Sequence, residues 1–511
     1  MDHVEGQDRH QMMMYSLDQL VHPQAFVRII DAFVDTLDLS SFDFSYFQLK
    51  AEGRPPYHPA YLLKLFLYGY QSGIRSCRKL EHACKVNVEV MWLLKGLTPH
   101  YKTIANFRKD NAQAFRLVFR HFVFILKDWK LVDGKHIAID SFKVRAQNSL
   151  KNNFNEAKLN RHLDYIDQKL EEYENMLDEE DEPEQIQSIQ LKMNRHIQHW
   201  DKYCDHLEHL YESGDDQVST TDPDAKGVIL HRNIVNVGYN IQAVSDAKHK
   251  LLIGIDTGSV NDTHQLSNMV HRAMDNVGMK RTSVLADKGY HTGAQIAACE
   301  ELGSLTFVSP KANAANKKYN VFPMEDFKYH PGSDTYRCPN KQILRSNGEY
   351  YNRKSKSKEP IRYKHYKTRA CKKCPLKQQC TSSQNGRVLQ RTEYQSAIER
   401  NNDRVYKNPD YYRLRQQLIE HQFGTFKRHW HFDHVLMKGK EKVLGEISIL
   451  FTAYNLRRAM SIFGFSALIG HIRTLYLCLF RNYSYTNALQ ASGDKQKLEL
   501  YLVSGSVWIV K

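Results

Sequence analysis

Apolar residues recur at three- and four-residue spacing from about Pro23 to Trp129, with Pro, Gly and Ser at the joints. That period puts one face of each helix against a core. The stretches YHPAYLLKLFLYGY, SCRKLEHACK, VEVMWLLKG and TIANFRKDNAQAFRLVFRHFVFIL therefore predict an all-α domain over 1–130. HIAIDSFKVRA then reads as a buried strand delivering Asp140 to its end. Between Leu159 and Tyr211 two helical stretches carry a heptad-like seam: Leu159, Leu163, Ile166, Leu170, Tyr173 and Leu177, then Ile186, Ile189, Met193, Trp200, Cys204, Leu207 and Tyr211. The acidic DEEDEPE between them suits a solvated reversal, so an antiparallel helical hairpin is expected over 155–213.

Past STTDPDAKG, the run VGYNIQAVSDAKHKLLIGIDTGSV predicts two strands joined by a turn at Asp246 and Lys248. A helix (HQLSNMVHRAMDNVG), a strand ending at Asp287 (TSVLADKGYHTG), a helix from about Gly293 and a further strand (LTFVSP) follow. This order predicts an α/β fold, a mixed sheet with flanking helices, over 131–310. Periodicity weakens over 311–395, a Lys-, Arg-, Tyr-, Ser- and Cys-rich inserted module. Helical pattern resumes with DYYRLRQQLIEHQFGTFKRHW and VLGEISILFTAYNLRRAMSIFG, placing the second part of the core at 396–475 and leaving 476–511 as a strand-like tail.

A chain of 511 residues has room for several cores. Lys plus Arg number 72 against 57 Asp plus Glu, a formal charge of +15, which favours a polyanionic partner such as nucleic acid. A merely solvated basic surface explains the same excess, so motifs must decide. Arg75, Arg78, Lys79, Lys102, Arg108 and Lys109 fall on the short helices, where they suit either a helix-turn-helix reader of the major groove or a solvated packing module. The opening MDHVEGQDRHQMMM does not resemble a secretory signal. Apolar runs such as FVFIL and ISILF are broken by charge well before the roughly 18 residues a bilayer demands, so no membrane partner is expected. Four of the nine cysteines crowd one basic segment, the usage of a reducing compartment, and the chain is read as cytoplasmic.

Two-metal phosphodiester chemistry needs carboxylates converging from several elements, because each ion wants hard oxygen ligands and open sites for water and phosphate. Asp140 and Asp287 at strand ends and Glu420 on a helix suit that need. Singly, a strand-end Asp is more often a cap and a helical Glu more often a surface residue. The combination of IDSFKVRA, VGYNIQAVSD, LADKGYHTG and EHQFGTFKRHWHFDHVLMKGKEKVLGEISILFTAYNLRRA resembles the DDE-type insertion-sequence transposases, which have an RNase H-like catalytic core and a helical N-terminal transposase domain. The resemblance covers about Leu20 to Phe463. It implies that Asp140, Asp287 and Glu420 hold two magnesium ions, with manganese as a substitute, for DNA cleavage and strand transfer. It also implies that Tyr412, Arg415 and Lys427 match a Tyr, Arg, Glu, Lys signature around Glu420 and contact DNA, with Arg428 beside them. Lys427 keeps the expected offset of seven from Glu420; four residues separate Arg415 from Glu420 where three are expected. Seven residues are two helical turns, so Glu420 and Lys427 should share a face.

Cys338 in YRCPN and Cys371, Cys374 and Cys380 in ACKKCPLKQQC offer four thiolates, enough to close a structural zinc site in a segment poor in apolar residues. Separate buried cysteines or an iron–sulfur cluster are the alternatives. Cys77, Cys84, Cys204, Cys299 and Cys478 read as core or surface residues. The intervening SNGEYYNRKSKSKEPIRYKHYKTR suits either a contact to DNA ends or a solvated loop. The expected partners are double-stranded DNA, both element ends and target, and a second copy of the chain in a DNA-bound homodimer; the expected setting is the bacterial nucleoid. A transposase-derived DNA-binding protein without catalysis, and an RNase H-like nuclease without strand transfer, are the competing readings.

Overall fold

A computed structural model of the chain describes residues 10–475 apart from 11, 13, 46, 48–54, 232–233, 259, 311–320 and 354–360. The expected strand-like tail, Cys478 and part of the Lys-rich stretch before Cys371 lie outside the described residues. The fold is mixed α/β, with a mixed sheet and a helical N-terminal region.

In chain order, the helical opening forms α1 (Phe26–Asp35), α2 (Pro59–Gln71), α3 (Cys77–Val86), α4 (Val88–Leu93), α5 (Tyr101–Asp110) and α6 (Ala112–Asp128). Strand β1 (His136–Arg145), helices α7 (Glu156–Glu179) and α8 (Pro183–Ser213), and strands β2 (Lys226–His231), β3 (Ile234–Asp246) and β4 (Leu252–Gly258) follow. Then come α9 (Leu266–Val277), β5 (Ser283–Ala286), α10 (Gly293–Glu301), β6 (Leu305–Val308), the Cys-bearing segment, α11 (Gln395–Lys407), α12 (Pro409–Gly424) and α13 (Lys440–Phe463). The chain divides into two compact units, one of Met1–Asp133, Ser141–Val260 and Ile419–Lys511, the other of Gly134–Asp140 and Asn261–Leu418.

In the first unit, local signals place the helix ends. His58 accepts from the Ala60 N–H while Pro59 opens α2, and Asn87 caps α4 through the Val90 N–H. The long run after Thr103 is two helices, because Asn111 breaks it and turns its side-chain oxygen to the N–H and hydroxyl of Ser45 at 2.7 and 2.9 Å. Phe33, Phe66, Phe107, Phe115 and Phe122 are fully buried and form the aromatic core of these helices. Helix α13 packs on α6 so closely that a Cβ at Gly445 would sit 2.6 Å from the Ala112 Cα, and Phe451 meets Phe119 edge-on at 6.0 Å.

The sheet of this unit pairs β3 with β2 and with β4, both antiparallel. The later half of β1 runs beside β3, where Ala146 N–H donates to the Val237 carbonyl at 2.9 Å. Gly238 permits that approach, since a Cβ there would fall 2.2 Å from the Val144 carbonyl oxygen. The β3–β4 turn is held by the buried Asp246 carboxylate, which accepts from the Lys248 N–H at 2.9 Å. Strand β2 has no counterpart in the sequence expectation.

The α7–α8 seam differs in one respect from the expected heptads. In α8 the expected Ile186, Ile189, Met193, Cys204 and Leu207 are half-buried, joined by His196, Tyr203, His206 and the buried Leu210, whereas Trp200 and Tyr211 are exposed. Those two rings lie at the edge and use their polar tips, Trp200 Nε1 bonding Asp167 and the Tyr211 hydroxyl bonding Glu156, both at 2.9 Å.

In the second unit β1, β5 and β6 are parallel neighbours, with α9, α10 and α11 around them. The Cys-bearing segment, expected to be irregular, holds two three-stranded antiparallel sheets, one of Lys328–His330, Thr335–Arg337 and Ile343–Arg345, the other of Tyr351–Arg353, Ile361–Tyr366 and Leu389–Thr392. Its small core is Phe327, Tyr336, Leu344, Tyr366 and Leu389.

Candidate active site

Buried, β-branched and apolar residues drive β1 and β5 into parallel pairing, Ile137 against Val284 and Ile139 against Ala286. The next residue in each is an acid: Asp287 follows the end of β5, whereas Asp140, expected at a strand end, lies in the middle of β1, which runs on to Arg145 after its pairing with β5 stops at Ile139; both acids are half-buried and at the same level. Asp287 begins the 3-10 turn Lys288–Tyr290, yet its side chain makes no capping bond there. Among the described residues its carboxylate has no hydrogen-bond or ion-pair partner. The ordinary explanation of a strand-end Asp as a cap therefore does not account for it.

Asp140 differs. Arg415 on α12 donates through Nη1 to Asp140 Oδ2 at 2.9 Å, with side-chain exposures of only 10% and 18%. Arg415, expected at DNA, is thus packed against an acid. The helix is anchored one turn earlier by Tyr411, whose ring packs on Phe307 at 4.7 Å and whose hydroxyl meets His136 Nδ1 at 2.7 Å. Tyr412, the tyrosine singled out from the sequence, is half-buried beside it. Two adjacent tyrosines gave no sequence signal as to which would anchor the helix.

Glu420 lies in the first unit and is exposed. At 100° per residue it is rotated roughly 140° around α12 from Arg415. The structure thus pairs Asp140 with Asp287 within one unit, while Glu420 belongs to the other. Among the described residues, no group of three or more His, Cys, Asp or Glu side chains is arranged to hold a metal ion.

The expected shared face of Glu420 and Lys427 is altered by a π turn. Thr425–His429 is π-helical, and the Trp430 N–H reaches back five residues to the Thr425 carbonyl at 3.1 Å. A turn that takes more residues carries Lys427 away from the position seven regular residues would give. Lys427 and Arg428 are at the surface of this turn. Partial desolvation and the neighbouring Lys143 ammonium lower the Lys427 pKa below the ordinary lysine value. Lys143 was not singled out in the sequence, although its alternation with Phe142, Val144 and Arg145 carries the period of a strand.

Two of the six cations expected to face DNA from the helical region do not. Arg75 and Arg108 are buried, at 5% and 6% exposure. Arg75 donates to the carbonyls of His431 (2.8 Å) and His434, and Arg108 to the Arg75 carbonyl (3.0 Å) and Cys77 Sγ (3.2 Å). Arg78, Lys79, Lys102 and Lys109 are exposed.

Cys338, Cys371, Cys374 and Cys380 are all half-buried free thiols. Cys338 and Cys380 pack against the small core of their segment, and Asn340 Nδ2 approaches Cys374 Sγ at 3.5 Å. Burial, followed by the proximity of the other three thiols, raises the Cys380 pKa against the opposing pull of Arg387. Gly386, at φ +91°, lies so near Cys371 that a Cβ would meet the Cys371 Cβ at 2.4 Å. Of the other cysteines, Cys77, Cys84 and Cys299 are buried and Cys204 half-buried.

Two family profiles match the chain: the Transposase domain (DUF772) over residues 15–110, and the Transposase DDE domain over residues 236–456. The second span contains Asp287, Arg415, Glu420 and Lys427, while Asp140 precedes it. No curated protein matches the chain. No solved structure matches it. Among the described residues, no helix is long and apolar enough to cross a membrane.

Proposed function

This chain belongs to the insertion-sequence DDE transposases, enzymes that act on DNA with divalent metal ions, and we propose that it cuts the ends of its own element and joins them to target DNA through Asp140, Asp287 and Glu420. The observation that carries the reading is the pair of carboxylates at one level where the parallel pairing of β1 with β5 stops, with Asp287 unengaged among the described residues. Half-buried carboxylates suit hard divalent ions, magnesium first and manganese as substitute, and Glu420 would complete the ligand set. Ions held there would supply the activation of a water or 3′ hydroxyl and the neutralisation of the leaving oxygen.

The chain's own residues do the rest. Arg415 orients the Asp140 carboxylate through its 2.9 Å bond. Lys427, Arg428 and Tyr412 contact DNA phosphates, and the exposed Arg78, Lys79, Lys102 and Lys109 of the N-terminal region engage the element ends. The sheet and its helices are read as an RNase H-like core. Pairing of two ends would call for a homodimer on DNA, within the bacterial nucleoid. The thiols of Cys338, Cys371, Cys374 and Cys380 are proposed as ligands of one structural zinc, a reading that rests on their Cys-x2-Cys spacing within one segment poor in apolar residues, since the described side chains do not themselves converge as a metal-holding group.

Strand cleavage and joining on DNA carrying the element's ends, with magnesium, tests the proposal. Nicked and joined products are expected from the wild type and are lost in Asp287→Asn. Cleaved ends without joined target would leave a nuclease, and DNA binding without products would leave a regulator.

A further inference from the structure

Beyond Asp140, strand β1 carries charge for which the reaction has no use. Phe142 and Val144 are buried, whereas Lys143 is half-buried and Arg145 exposed, as alternation along a strand requires. The chain then turns through residues 146–151 and encloses an open cavity of about 530 Å³. Arg145, Lys151 and His434 line it together with the amides of Gln147, Asn148 and Asn236, and no carboxylate lines it.

The cavity is built into the fold. Arg145 N–H donates to the Asp433 carbonyl at 3.2 Å, and Val435 N–H to the Arg145 carbonyl at 2.8 Å. Gln147 Nε2 reaches the Val435 carbonyl at 3.1 Å, Asn148 bonds the Ser219 hydroxyl, and Ser149 Oγ accepts from the Lys151 N–H at 3.2 Å. Asp433, next to the lining His434, is engaged by His434 Nδ1 at 2.6 Å. Neither Arg145 nor Lys151 forms an ion pair among the described residues. Two unneutralised cations and several amide donors in one open concavity complement a ligand with many acceptor oxygens and negative charge. An open site also favours part of a large polyanion over an enclosed small molecule.

We propose that this cavity seats a phosphodiester of the duplex backbone away from the reacting bond, with Arg145 and Lys151 as contacts that do not read sequence. The proposal rests on the chain acting on DNA, as argued above. Arg145 stands five residues beyond Asp140 on one strand, roughly 17 Å at the rise of extended chain, so the phosphate it holds is not the one under attack. Lys143 on the same strand and Lys427 on the π turn extend this positive character, the Lys143 charge adding to the desolvation that lowers the Lys427 pKa.

The test is the salt dependence of DNA binding by the full chain, followed by fluorescence anisotropy from about 50 to 200 mM salt on an element-end duplex and a scrambled one. Each of Arg145→Ala and Lys151→Ala is expected to reduce the slope of log K against log salt by about 0.9, equally on both duplexes, and Arg145→Lys to restore it. Wild-type slopes in both alanine variants, or a loss confined to the element-end duplex, would overturn the proposal. So would saturable binding of inorganic phosphate at matched ionic strength that disappears in Arg145→Ala, which would mark a free-anion site. Unchanged slopes in a chain that still cleaves element ends refute the cavity alone; a wild type that binds no DNA refutes the enzyme reading as well.

Discussion

Glu446 is a buried, heavily engaged charge on α13, and replacing it by Leu should be costly. One carboxylate oxygen accepts from the Tyr70 hydroxyl at 2.9 Å and faces Arg75 Nη2 at 3.5 Å; the other accepts from the Leu436 and Met437 N–H groups at 2.8 and 3.1 Å. Burial, then the Glu446 charge, raises the Tyr70 pKa, which keeps the hydroxyl protonated as a donor. Arg75 itself is buried against the Phe432 ring at 4.2 Å. Removing the carboxylate orphans three donors and leaves an uncompensated guanidinium. Breaking such a pair costs about 3–5 kcal/mol, and added penalties for the orphaned donors are partly relieved by relaxation. Units of roughly 150–250 residues lose about 2–4 °C of Tm per kcal/mol and larger ones less, so in the larger first unit Glu446→Leu should melt roughly 5–10 °C lower. Glu446→Gln retains an acceptor for Tyr70 but sets an amide donor against backbone donors or Arg75, and should lose about half as much. Tyr70→Phe, which removes one bond, should cost about 1 kcal/mol. Thermal unfolding followed by the fluorescence of the buried Trp430 reads all three. A Tm for Glu446→Leu within about 2 °C of wild type would refute the argument.

Acid should weaken the Cys-bearing segment. Burial opposes ionisation of Asp334, but hydrogen bonds from Tyr366, Lys364 and Tyr329 outweigh it and hold its pKa down at about 2. The folded pKa is below the unfolded value near 3.9, so the stabilisation is present above about pH 4 and is lost as pH falls towards 2. Asp334→Asn should therefore raise hydrogen exchange in Tyr366 and its neighbours at neutral pH, with the difference from wild type vanishing near pH 2. If the four thiols hold zinc, elemental analysis should find about one zinc per chain, lost in Cys374→Ser, and a chelator should lower the Tm of wild type only; a metal-free wild type with the same Tm would exclude the site.

Much of this architecture could be read from period alone. The alternation in HIAIDSFKVRA and the apolar run of VLGEISILFTAYNLRRAMSIFG are strong because both segments are buried, and they became β1 and α13. That Asp287 follows a strand was foreseeable, whereas β1 runs on past Asp140 to Arg145, and the level at which the two acids meet arises only when distant segments pair. Other features had no local signal. Arg75 and Arg108 looked like surface charge because residue type says nothing about which carbonyls wait inside. Strand β2 begins at Lys226 and ends at His231, and its apolar stretch is too short to mark a strand by itself. Trp200 fitted the heptad by hydrophobicity, whereas its indole N–H, needing Asp167, drew it to the rim.

The π turn at Thr425–His429 makes residue count a poor ruler for this segment. A helix that widens for one turn holds one residue more than a regular helix of the same height, so positions counted across it drift around the axis. Phe426, Trp430 and Phe432 are all buried, and their inward aim depends on that surplus residue. Deleting one residue here would restore regular winding while shifting the later rings by about 100°. Tolerance to length change in this stretch is therefore set by the core and not by the exposed cations the turn displays.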